Sequence, residues 1–125
     1  MKQTRTRPFV RKIDVPIYNV TLIVGVAEDL AKLAERLSPI FGDQDTTDAG
    51  AACCWSGEQQ FAVLFGRAQL DVRNIEMIGH EVFHLTHRIL QWSDVKFGEE
   101  DHEAAALLHG YLLDTVVGMI LRNRK

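Results

Sequence analysis

Apolar and polar positions alternate most cleanly around Val20, Leu22, Val24 and Val26, with Asn19, Thr21 and Gly25 among the positions between them. Period two over this length predicts a strand, and Ile23 predicts that its second face is partly covered as well. The strand reading extends back to Ile13 through an interruption around Pro16. Leu30, Leu33, Ala34 and Leu37 then recur at helical spacing, and Ser38-Pro39 supplies a stop. Residues 42–50 are polar and turn-rich, which predicts a surface loop. Two further strands are expected at 51–55 and 60–65, joined by a turn at Ser56-Gly57-Glu58.

The second half changes period. A connecting segment, 66–73, leads to Asn74, a residue type favoured as a helix N-cap. From there to about Gln91, Ile75, Ile78, Val82, Leu85 and Ile89 form an apolar stripe that faces a core. Gly79 interrupts it at a cost on the order of 1 kcal/mol against Ala, which a close contact with the sheet would explain. An acidic connection, 92–101, contains Gly98 and precedes a last helix from about Glu100 to Leu121, slim at Ala104–Ala106. The order predicts a small α+β domain: a sheet of about three strands packed with three helices. The boundaries are a basic flexible arm over 1–12 and one domain over 13–125.

Composition changes this picture little. At 125 residues, 46% hydrophobic and 25% charged, the chain has the make-up of one globular domain. A net charge of −3 argues against whole-protein attraction to nucleic acid. The charge is uneven, because Lys2, Arg5, Arg7, Arg11 and Lys12 precede the first acidic residue, Asp14. No secretory signal is visible, and the uninterrupted apolar runs fall well short of the roughly 18 residues of a membrane span. Cys53 and Cys54 are adjacent and point to opposite faces of a strand, so neither a mutual disulfide nor a shared metal site follows; a reduced, intracellular protein is expected.

The chemistry is concentrated in the helix predicted from Asn74. His80-Glu81-Val82-Phe83-His84 is an H-E-x-x-H sequence in the helical context that motif requires. Residues four apart on a helix stack, so both imidazoles can reach one ion, and zinc accepts imidazole nitrogen well. Glu81 stands about 100° round the helix from His80, beside rather than on the ion, where a general base for a metal-bound water belongs. A third protein ligand is expected, and Glu103, 19 positions after His84, lies where a returning helix would carry it. His87 reads as a polar flank of the site.

This arrangement resembles the gluzincin metallopeptidases, of which thermolysin is the familiar example. More narrowly, the chain resembles short H-E-x-x-H proteins encoded by bacteriophages and integrated mobile elements. In those, an I-P-[IF]-Y-type strand opens the domain, an apolar edge strand precedes the motif helix, and the final helix carries E-A-x-A-x-L-x-G-[YW]. The corresponding residues are Val15-Pro16-Ile17-Tyr18, Phe61–Phe65, and Glu103-Ala104 with Gly110-Tyr111. The resemblance implies a minimal zincin-like fold, a single zinc ion on His80, His84 and Glu103, catalysis by Glu81, and a bacterial cytoplasm as the setting. It implies a peptide or protein substrate aligned along Phe61, Val63 and Phe65 by strand addition. The chain departs from thermolysin-type members at Leu107, where an Asp often orients a ligating histidine. His109, Tyr111, Arg88 and His102 are the candidates for stabilising a transition state or supporting the ligands.

Two other readings stand beside it. One is a non-catalytic phage or mobile-element protein with a structural metal. The other is a metal-free interaction module using the basic arm and helical surface. The apolar last helix would also suit a homodimer or a phage-protein partner.

Overall fold

Residues 6–46, 50–67, 75–95 and 102–123 are described by a computed structural model. The segment expected as one interrupted strand is a hairpin. Strand β1 (Phe9–Val15) turns through Pro16–Asn19 into β2 (Val20–Ala27), antiparallel, with Ile13 opposite Leu22 and Val15 opposite Val20. Pro16 can serve a turn but not a central strand, which is why the alternation breaks there. The Tyr18 N–H donates to the Pro16 carbonyl at 2.8 Å, and Ile17 and Asn19 both take positive φ. Residues 9–12 are therefore a strand rather than a flexible arm. Their side chains are mostly solvated because β1 is an edge strand, and that hides the period in the sequence. Just ahead of β1, the buried Thr6 and the Arg7 N–H, bonded to the Asn123 carbonyl at 2.7 Å, fasten this stretch to the far end of the chain.

Helix α1 (Leu30–Arg36) is capped by Asp29, whose carboxylate accepts from the Lys32 N–H. The Ser38-Pro39 pair does not end helical structure but begins a second short helix, α2 (Ser38–Phe41). Proline fits the first turn of a helix, where its missing N–H would have no intrahelical partner. Strands β3 (Ala51–Trp55) and β4 (Gln60–Gly66) form the expected antiparallel pair. The sheet order is β1-β2-β4-β3, with β2 and β4 parallel. Among the described residues there are thus four strands in a mixed sheet and four helices, one more of each than the sequence pattern predicts.

Helices α3 (Ile75–Trp92) and α4 (His102–Arg122) cover one face of this sheet, and α1 with α2 covers the other. The larger core joins Leu22, Val24 and Val26 of β2 and Phe61, Val63 and Phe65 of β4 to Val82, Leu85 and Ile89 of α3 and Leu112 and Val116 of α4. The smaller joins Ile23, Cys54, Ala62 and Leu64 to Leu30, Leu33 and Phe41. Cys53 packs on the first core and Cys54 in the second, as adjacent strand residues must. Gly25 lets α1 approach, because a Cβ there would stand 2.9 Å from Leu33 Cδ2.

Two expectations change here. Phe61, Val63 and Phe65 are at most 1% exposed and lie on an interior strand, so they are core and cannot align a substrate along a sheet edge. The strand beside the motif helix that has an outer edge is β3. Helix α4, with 21 residues, is also long and apolar enough by length and composition to cross a membrane. Several of its apolar residues, Leu108, Leu112, Val116, Met119 and Ile120, belong to the larger core. Asn74 and Gly98, with the expected helix start at Glu100, lie outside the described residues.

Candidate metal centre

The motif residues fall on α3 with their faces set by what the helix must bury. Ile78, Val82, Leu85 and Ile89 take the sheet side, which turns His80 and His84 outward, both exposed. Their Nε2 atoms stand 3.2 Å apart, with ring centroids at 4.7 Å and planes at 78°. Two nitrogens on one tetrahedral zinc, each about 2.0–2.1 Å from it, are separated by about 3.3–3.4 Å. The pair therefore has the spacing that one ion demands. A direct hydrogen bond between the rings is compatible with the same distance, with one ring donating and the other accepting.

Glu81 is half-buried, and its charge reaches β3, acting on the thiols of both Cys53 and Cys54. Burial first, and then Glu81, pushes the Cys53 thiol up to about 12 and Cys54 up to about 11. Both are neutral thiols at pH 7 and poor metal ligands in that state. Arg88, one turn beyond His84 on the same side as Glu81, lies over the exposed ring of Trp55, with its guanidinium carbon 3.9 Å from the ring centroid. It also donates through Nη1 to Gln91 Oε1 at 3.1 Å.

On the opposite side, α4 contributes His109. Thr86 is 1% exposed and donates its hydroxyl proton to the Val82 carbonyl at 2.8 Å. Its oxygen can then accept from His109 Nδ1, 3.3 Å away. The His109 ring meets Phe83 edge-on, with centroids 6.2 Å apart.

Glu103 and His102 are exposed on the first turn of α4, and Tyr111 is exposed further along it. Glu103 is six positions before His109 and so about 120° round α4 from it. Among the described residues, no three of the His, Cys, Asp and Glu side chains come together as a metal-holding group. The structure thus brings His80 to His84, with Glu81 next to His80 along the helix, and brings neither Glu103 nor His109 close enough to the pair to complete a three-ligand group. His87 is exposed on the same outer face of α3. The sequence pattern missed Thr86 and Trp55. A threonine in line with a buried stripe, and a lone tryptophan before a turn, were the available signals.

No family model, no curated protein and no solved structure matches this chain.

Proposed function

We propose that the protein is a zinc-dependent hydrolase, of the metallopeptidase type, built on the outer face of α3. The observation that carries this reading is the 3.2 Å approach of His80 Nε2 to His84 Nε2, which suits two ligands of one tetrahedral ion. The ion, when bound, supplies an acidified water and polarises a carbonyl. Glu81, one residue after the first ligand, is the group that takes up a proton at its carboxylate and returns it to the leaving amine. Its charge reaches Cys53 of β3, and the outer edge of that strand could take an extended chain.

The third ligand rests on two different supports. Spacing favours Glu103, 19 positions after His84. The packing of α4 on α3 favours His109, which it brings to 3.3 Å from Thr86 and edge-on to Phe83, the residue before His84. Glu103→Ala and His109→Ala separate them, since loss of the true ligand lowers zinc affinity by tenfold or more while the other substitution does not.

The direct test of the chemistry is Glu81→Gln, assayed on a mixed peptide library with zinc supplied. The expected result is retained zinc with hydrolysis reduced by at least a hundredfold. Equal cleavage by wild type and variant would remove Glu81 from the mechanism. Absence of cleavage by zinc-loaded wild type would favour the non-catalytic metal protein.

A further inference from the structure

Building on the hydrolase reading, the stacking of Arg88 on Trp55 points to a substrate preference. We propose that Arg88 is a specificity-determining residue that binds a carboxylate of an extended peptide lying along β3, about three residues from the bond that is cut. Arg88 follows Glu81 by seven positions, which returns it to the same face of α3. Cys53 lies under the influence of both Glu81 and Arg88, and Trp55, two residues on along the same face of β3, lies under Arg88. The stretch of β3 from Cys53 to Trp55 therefore lies against the face of α3 that carries Glu81 and Arg88.

The level midway between His80 and His84 is six residues before Arg88, or about 9 Å along the helix axis. An extended chain advances about 3.3 Å per residue, so Arg88 meets the third residue or so from the reacting bond, toward the C-terminal end of α3. The indole supports the guanidinium from one side and Gln91 accepts from one of its nitrogens, so the group is positioned before a ligand arrives. Among the described residues no carboxylate forms an ion pair with Arg88, and its remaining N–H groups suit bidentate capture of one. Strand β3 pairs only with β4 among the described residues, which leaves its other edge to accept a chain.

The test uses the full chain carrying Glu81→Gln to prevent turnover and Trp92→Phe to make Trp55 the sole tryptophan, excited selectively near the red edge of its absorption, with zinc added. The probes are N-acetylated Ala/Leu hexapeptides with a single Glu or Gln at successive positions, each as the free acid and as the amide. The proposal expects Trp55 fluorescence to report at least tenfold tighter binding of a carboxylate peptide than of its uncharged counterpart. The Glu amide and the Gln free acid show whether a side chain or a chain terminus supplies that carboxylate. Arg88→Gln should erase the difference, and Arg88→Lys, which keeps the charge without the stack, should keep part of it.

Equal affinity for charged and uncharged peptides, a preference that survives Arg88→Gln, or no binding of any carboxylate peptide would overturn the proposal. Cleavage by wild type without acidic preference would defeat this proposal and leave the hydrolase standing. Carboxylate binding without cleavage would do the reverse.

Discussion

Gly79 stands directly before His80, and among the described residues outside its own stretch of helix no heavy atom lies within 4 Å of the place a Cβ would occupy. The close contact with the sheet that its presence in a helix suggests is absent, so the residue costs helix stability with no packing return in this structure. Gly79→Ala should raise stability by about 1 kcal/mol, read as a higher urea midpoint at unchanged slope. A lower midpoint would show that something must pass close to the backbone there. The same scale explains why the histidine pair was legible from sequence and its surroundings were not. Four-residue spacing on a helix fixes where His80 and His84 point, whereas Thr86 and His109 meet only because α3 and α4 pack, and their positions are 23 apart.

At the scale of elements, alternation identified β2, and short apolar runs either side of a Ser-Gly turn identified β3 and β4. Strand β1 escaped, since most of its residues are solvated, and α2 escaped because a proline that can end a helix can also begin one. The order of the strands was not legible either. Buried on both faces, β4 reads as apolar all along, and nothing in its own residues says that it lies inside β3. Strand β3 carries a prediction of its own. With Cys53 at about 12 and Cys54 at about 11, raised by burial above an ordinary value near 9, neither thiol should react measurably with a disulfide reagent at pH 8 until the protein unfolds. Because these folded-state values are raised, the neutral thiols support the fold fully below pH 9. That contribution is lost as pH climbs from 9 through the folded values toward 12. Rapid labelling of both cysteines in the folded protein at pH 8 would mean that β3 opens readily.

For the whole molecule, three layers leave the chemistry on one side. Helices α1 and α2 only back the sheet, while α3 lies between β3 and α4 with its histidines outward. Strand β3, the motif helix and the closing helix carry, in that order, Trp55, the His80 and His84 pair, and His109. The α+β class followed from the sequence because period-two and short apolar runs are interspersed with runs of period 3.6 at Leu30 and Ile75. The approach of His109 did not, since which face of α4 meets α3 is decided by how the two helices pack. The proposed function stands or falls on whether the histidine pair holds an ion. The measurement is zinc per chain by elemental analysis, on wild type and His80→Ala/His84→Ala purified in parallel and dialysed against trace zinc at neutral pH. Near one zinc per chain in wild type and almost none in the double variant is the predicted result. Equal content in both, or none in either, would contradict the metal centre and leave the 3.2 Å contact as a hydrogen bond between two surface imidazoles.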